Sequence, residues 1–343
     1  MKSIHLQKIN LKAIIAVSSL LLVSLLSVAA YCIFLNGHDS VIKKPDLFKI
    51  KENGKWGFIN KKGELVIPAE YDLAYDMYDG VAPVRIKGKW GFINKKGKLI
   101  VEPQYDNALS FSEGMAAVNK DGKWGFINKK GMLLIEPQFE MAYWFSEGLA
   151  AVIKEGKRVF INKKGTVVIE ANYNTTLAEF RNDYAIVNED GKVYYINKKG
   201  EKAINKDFSS AYQFSNGRAF VIDDQQSGYI DRKGNMVIEN VIGNQFSEGL
   251  AAVQKDGKWG YIDTKGRLVI DYQFDSAAYF SEGLAFVEKN NKKGYIDTNG
   301  KMVINLEKTT GYAFTNGVAY IMTSLDDWGY INTAGEYIWR VKR

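Results

Sequence analysis

The chain has 343 residues, 46% of them hydrophobic, enough for two ordinary domains or one large repeat domain. Its single cysteine, Cys32, excludes an intramolecular disulfide framework. Its two histidines, His5 and His38, lie near the N-terminus, so imidazole base chemistry and His-ligated metal are closed to the remainder. A net charge of +7 suits an anionic surface such as a bilayer, an acidic wall polymer or nucleic acid.

The N-terminal segment carries Lys2, Lys8 and Lys12 without an acid, and Ala13 to Leu35 then runs 23 residues without a charge. At ~1.5 Å per residue that stretch crosses a ~30 Å hydrocarbon core as a helix. The expected organisation is a cytoplasmic basic segment (1–12), a transmembrane signal anchor (13–35), a polar linker (36–46) and a β domain (47–343) outside the membrane. Cleavage at the small residues Ser27-Val28-Ala29-Ala30 would instead release a secreted chain. Against it, apolar sequence continues through Ile33-Phe34-Leu35. Lipid attachment at Cys32 is a third reading, opposed by Tyr31 where a small residue is expected.

From residue 55 onward one phrase recurs nine times. Its best copies contain Trp56-Gly57-Phe58-Ile59-Asn60, Trp90-Gly91-Phe92-Ile93-Asn94 and Trp124-Gly125-Phe126-Ile127-Asn128. The aromatic after the Gly slot recurs at Phe58, Phe92, Phe126, Phe160, Tyr195, Tyr229, Tyr261, Tyr295 and Tyr330, in steps of 32 to 35 residues. A fixed period of this size means one supersecondary unit stacked on its own copies. The third copy shows the plan. Gly114 to Val118 is small and apolar, Lys120-Asp121-Gly122 is a turn, and Lys123 to Ile127 is a strand ended by Asn128-Lys129-Lys130-Gly131. Met132 to Ile135 is another strand, and Phe139 to Phe145 an irregular fourth that completes the unit.

The nine copies sort the slots. Isoleucine never varies from Ile59 to Ile331, which predicts core. The turn glycine from Gly63 to Gly335 never varies either, which predicts a positive φ. The Trp slot admits Arg158, Val193, Ser227 and Lys293, which predicts a partly wet rim. Trp124 and Phe126 share one side of their strand and Gly125 and Ile127 the other, while Leu133, Leu134 and Ile135 repeat the pattern. A sheet apolar on both faces is expected to be covered on both, so no unit folds alone. The expected class is an all-β array of about nine units with three or four strands, arranged like a β-propeller. The small strand Gly249-Leu250-Ala251-Ala252-Val253 suits a crowded inner position. An open solenoid or spiral of hairpins is the alternative, because nine units is high for a ring and the final unit stops after its third strand.

These residues resemble the WG-repeat (KWG) family of bacterial proteins, with Lys-Trp-Gly at 55–57, 89–91, 123–125 and 258–260, over roughly residues 47–343. The resemblance implies an all-β repeat domain on secreted or surface proteins that acts by binding. It supplies no catalytic residues.

Candidate chemistry is repeated rather than singular. Glu113, Glu147, Glu248 and Glu282 occupy equivalent Ser-Glu-Gly corners and suggest the carboxylate pair of a glycosidase. An active site, however, needs one distinct constellation, and Glu113 is expected among Lys95, Lys96, Lys129 and Lys130 as a solvated ion pair. Asp121, Asp190, Asp256 and Asp223-Asp224 lack the spacing of a calcium loop. Two binding surfaces remain. Lysines at Lys61, Lys62, Lys95, Lys96, Lys129 and Lys130 would meet anionic polymer or lipid, or else simply solvate a sheet edge. The tryptophans Trp56, Trp90, Trp124, Trp259 and Trp328, with off-pattern Trp144, would stack on sugars or cations, or else pack between units. The expected protein is therefore a membrane-anchored, extracytoplasmic binding scaffold, not an enzyme and without a cofactor. Its expected partner is a protein at the cell surface or an anionic cell-wall glycopolymer, not nucleic acid.

Overall fold

The structure, a computed structural model, describes residues 44–45, 47–170, 179–223 and 226–341. The expected basic segment and anchor lie outside these, as does most of the linker. Among the described residues no helix is long and apolar enough to cross a membrane. They form nine antiparallel sheets, each a module of consecutive strands.

Module 3 shows the full plan, with strands Asn107–Ala108, Met115–Lys120, Lys123–Asn128 and Leu133–Phe139 hydrogen-bonded in chain order. The two-residue strand opens a module and does not close one. Met141–Ala142 pairs with Ile153 and Val152 of module 4, although the sequence places it at the end of module 3. Module 1 consequently has three strands (Phe48–Glu52, Lys55–Ile59, Leu65–Tyr71). Module 9 has all four (Thr310–Gly311, Val318–Ser324, Asp327–Asn332, Tyr337–Arg340), so the final unit does not stop one strand short.

Local chemistry explains the repeated phrase. In the second hairpin Asn128 Oδ1 accepts from the Lys130 and Met132 amides at 2.9 and 3.1 Å, an Asx turn. Gly131 then takes φ 77°, as the sequence requires. The Trp-Gly pair makes a β-bulge. Trp124 lies opposite Phe139 and Phe126 opposite Ile135, so three residues of the fourth strand cross above Gly125 alone. A Cβ there would lie 2.5 Å from the Ile135 carbonyl oxygen and 2.7 Å from the Pro137 nitrogen. Modules 1, 2 and 7 repeat this register, pairing Trp56 with Tyr71, Trp90 with Tyr105 and Trp259 with Phe274. Where the Gly slot holds Val159, that residue pairs with Glu170 and Phe160 with Ile169. Where it holds Tyr194, the described residues of module 5 form two strands, Ala185–Glu189 and Lys192–Ile196, with isolated bridges from Ile196 to Lys202 and from Val193 to Phe208.

Each hydrophobic cluster spans two modules. One joins Phe126, Ile135 and Phe139 of module 3 to Phe145, Ala150 and Ile161 of module 4. The invariant isoleucines sit in these joints, fully buried or nearly so. Across the same joint the hairpin glycine of one module covers the outer strand of its predecessor. A Cβ on Gly131 would meet Val101 at 3.0 Å, and one on Gly165 would meet Ile135 at 3.1 Å. Nine modules in a row make eight joints, yet there is a ninth cluster. It joins Val318 and Tyr330 of module 9 to Phe48, Ile50 and Ile59 of module 1. There Gly63 faces the Ile338 carbonyl, and Tyr330 donates its hydroxyl to the Lys49 carbonyl at 2.8 Å. No sheet combines strands from the two ends.

One packing expectation is corrected. Ile135 is buried, but Leu133 and Leu134 are 38% and 47% exposed, because the fourth strand is an outer edge with no strand beyond it. Leu65, Val66, Leu268 and Val269 are exposed likewise.

Gly125 and Gly122 separate steric from conformational need. Gly122, at φ 78° in the first hairpin, has open space around it. Gly122→Ala should lower unfolding free energy by ~1 kcal/mol through its positive φ alone. Gly125→Ala, which forces Cβ into backbone, should cost ~3 kcal/mol or more. Urea titration of the two variants measures the difference; equal losses would mean that the bulge does not need the glycine.

Candidate binding surfaces

The Ser-Glu-Gly corners are joints. Glu113 and Gly114 both have positive φ, 51° and 83°, which turns the corner amides outward. The carboxylate of one corner then caps the amides of the next. Glu113 accepts from the Gly148 amide at 3.0 Å, and Glu147 from the Asp183 amide at 3.0 Å. Glu248 accepts from the Glu282 and Gly283 amides at 2.6 and 2.8 Å. Glu282 accepts from those of Asn316 and Gly317 at 2.9 and 2.7 Å. A second line runs beside it, in which Ser112, Ser146, Ser247 and Ser281 donate to Phe145, Phe180, Phe280 and Phe314 carbonyls.

Three corner acids of the N-terminal half also meet a cation from the following module. Glu113 pairs with Lys163 at 3.1 Å and Glu147 with Lys198 at 3.0 Å, while Lys129 reaches Asp79 at 2.6 Å. This corrects the partners expected for Glu113, which were Lys95, Lys96, Lys129 and Lys130. The stack advances one module between acid and base. At the last corner the hairpin offers Thr333, and Lys44 pairs with Glu282 instead. Asn316 donates its side-chain amide to the Pro45 carbonyl, so the end of the expected linker docks on modules 8 and 9.

The six lysines singled out by sequence thus divide. Lys129 is half-buried and paired. Lys61, Lys62, Lys96 and Lys130 are exposed at the hairpin tips, as is Lys95. The motif lysine has another role, in which Lys55, Lys89 and Lys258 pair with Asp72, Asp106 and Asp275 seventeen residues on. Those lysines hold the three carboxyls below the usual carboxylate range. That spacing is visible in the sequence and is the signal that could have found them.

The tryptophans divide too. Trp90 and Trp124 are buried, Trp90 stacked on Tyr75 with ring centroids 4.7 Å apart. Trp56, Trp259 and Trp328 are half-buried, and Trp56 stacks on Trp328 at 6.3 Å across the joint of modules 1 and 9. Trp144 is half-buried, with its indole N–H donating to Glu179 at 2.7 Å. Hydroxyls that arrive when Phe becomes Tyr are satisfied across a link, since Tyr195, Tyr261 and Tyr295 donate to the Tyr212, Ala278 and Tyr312 carbonyls. Burial raises all three phenols far above their ordinary range.

Over module 5 opens a cleft of about 480 Å³ lined by Glu189, Asp190, Lys192, Tyr194, Lys202 and Asp207. Its polar groups bind one another. Tyr194 donates to Glu189 at 2.8 Å, and Lys202 pairs with Asp207 while lying 5.0 Å over the Tyr194 ring. Among the described residues no group of three or more His, Cys, Asp or Glu could hold a metal ion.

The sequence model of the WG-containing repeat matches eight successive segments: 56–90, 90–124, 124–157, 160–192, 195–225, 228–259, 259–292 and 294–323. The chain belongs to this family. In WG-repeat terms, the lysine of Lys-Trp-Gly holds the linking aspartate, the tryptophan faces an outer-strand aromatic and the glycine admits the bulge. This WG-repeat fold is similar to the crystal structure of the eukaryotic initiation factor, at TM-score 0.61 and 11% identity over 87% of this chain and 96% of that one. It is also similar to BamB from Moraxella catarrhalis (TM-score 0.41, 9% identity, 82% and 97% covered). A third is Hsv2p of Kluyveromyces lactis (TM-score 0.42, 11% identity, 64% and 89% covered). At such identities likeness concerns the fold alone. No curated protein matches the sequence.

The corner belt predicts acid sensitivity. Burial opposes ionisation of Glu282, but hydrogen bonds from Lys44 and the Gly317 and Asn316 amides outweigh it and hold the carboxyl below its usual 4.5. A depressed carboxyl contributes stability that is present above its unfolded pKa and lost as pH falls through the folded one. Melting temperature should therefore fall below about pH 4.5, and Glu282→Gln should lower it at neutral pH while flattening part of that slope. An unchanged acid limb would remove Glu282 as a contributor.

Proposed function

We propose that this WG-repeat protein is a non-catalytic binding scaffold whose nine modules close into a propeller-like ring, held by a membrane anchor at residues 13–35 with the repeats outside. The ninth cluster and the Tyr330–Lys49 bond support closure. One observation carries the reading. The repeated carboxylates that would serve a glycosidase cap backbone amides, and Glu113, Glu147 and Glu282 also hold lysines. What faces solvent repeatedly is an apolar pair beside a hairpin lysine: Leu65 and Val66 by Lys62, Leu133 and Leu134 by Lys130. Such a mixed surface suits a protein partner at the cell surface, and many weak equivalent contacts add through high local concentration. The exposed Lys62, Lys96, Lys130, Lys164 and Lys199 favour an anionic wall glycopolymer as the second reading.

A photo-crosslinking residue at Leu134 in the full chain, expressed in its own cell, should give a discrete protein adduct, and one at Gly122 should not. Adducts to wall polymer alone, dispersed by salt, would favour the second reading. Equal labelling at both positions, or turnover of wall polysaccharide that Glu147→Gln abolishes, would overturn the scaffold.

A further inference from the structure

One slot of the repeat changes in nearly every module. The residue before the corner aromatic is Asp76, Ser110, Trp144, Glu179, Gln213, Gln245, Tyr279 and Ala313 in turn. The residue after it is phenylalanine in all but the first of these, where it is Met77. Packing therefore constrains the neighbour and leaves this slot free to differ.

In modules 4 to 7 the slot builds a continuous run. The Trp144 indole donates to Glu179 Oε2 at 2.7 Å, and Arg181 Nε pairs with Glu179 Oε1 at 2.7 Å. Gln213 Nε2 donates to the Glu179 carbonyl at 3.3 Å, and Gln245 Nε2 to the Gln213 carbonyl at 2.7 Å. At the centre, two buried oxygens have no partner: Gln213 Oε1, on a residue 7% exposed, and Ser215 Oγ, on one 4% exposed. The donation to Glu179 fixes which end of the Gln213 amide is nitrogen. Serines at the equivalent corners all donate to the next module's phenylalanine carbonyl, so Ser215 is the exception among Ser112, Ser146, Ser247 and Ser281. Leaving two buried oxygens unsatisfied at one corner is costly, and a ligand that donates to them would remove the cost.

We propose that this run is a binding site for an uncharged saccharide. Glu179 and Arg181 neutralise one another, which leaves no net charge to select an acid or a base. Trp144 presents a half-buried ring whose orientation Glu179 holds, a platform for the apolar face of a sugar. Gln213 Oε1 and Ser215 Oγ accept hydroxyl protons, a chemistry that sugars supply in quantity. Trp56, Trp90, Trp124, Trp259 and Trp328 have no such companions and are packing residues. The site goes beyond the scaffold reading and is independent of the hairpin lysines.

The full chain in a zwitterionic detergent without a sugar headgroup is titrated calorimetrically with cellotetraose and with chitotetraose. At least one should bind saturably and as well in high salt as in low, which separates the site from lysine-mediated polymer attraction. Trp144→Ala should weaken binding about tenfold or more, as expected for loss of roughly one stacking contact, whereas Trp259→Ala should leave it unchanged. Ser215→Ala should weaken binding while melting temperature holds or rises, because it removes an unsatisfied buried oxygen and no hydrogen bond. Melting of each variant tells lost binding from lost folding. No heat with either sugar, or equal binding by Trp144→Ala, overturns the proposal. So does a Ser215→Ala variant that melts earlier yet binds normally, which would mean that a water alone serves that oxygen.

Discussion

The outer-strand apolar residue of one module is covered by the turn backbone of the next. Everything else in this fold follows from that dependence. The turn must come close enough to exclude a side chain, so Gly131 sits against Val101 and Gly165 against Ile135. It must also reverse within four residues, which the Asn128 Asx turn provides. A module with no successor would expose its outer strand, and one with no predecessor would leave its own turn unsupported. The contact between Gly63 and Ile338 meets both needs at the chain ends.

A one-directional grip repeats at a second radius. The corner carboxylates cap forward, from Glu113 to Gly148 and from Glu282 to Gly317, while cations from the following module reach back to them. The carboxylates that resemble catalytic acids are thereby tied to backbone amides, and Glu113, Glu147 and Glu282 are also paired with lysines. In the scaffold proposed above, recognition would be left to the outer strands and to slots where the repeat departs from itself.

Much of the architecture was legible in the sequence because repetition acts as its own control. Nine isoleucines and nine turn glycines without exception could only be core and positive φ, and both are. What failed depended on register between modules, which no single strand encodes. Met141–Ala142 reads as the tail of module 3 until its pairing with Ile153 is known. Glu113 was assigned lysines of modules 2 and 3, and the stack delivers Lys163. Leu133 and Leu134 alternate as buried residues do, but an edge strand has no neighbour to cover them. For the proposed saccharide site only the aromatic character of Trp144 was visible. Gln213 and Ser215 are ordinary residues that stand out only by their unmade hydrogen bonds, and Glu179 by the indole and guanidinium it holds.

Eight of the nine joints link segments adjacent in the chain, so they form from short loops and with little search. The bond from Tyr330 to Lys49 spans 281 positions and waits until the last module exists. Contact separation of this kind predicts that folding is local from either end until that seam closes, with bringing the two ends into register as the slow step. Thermal breathing begins at the same place, since parting the seam frees two modules without disturbing the other seven.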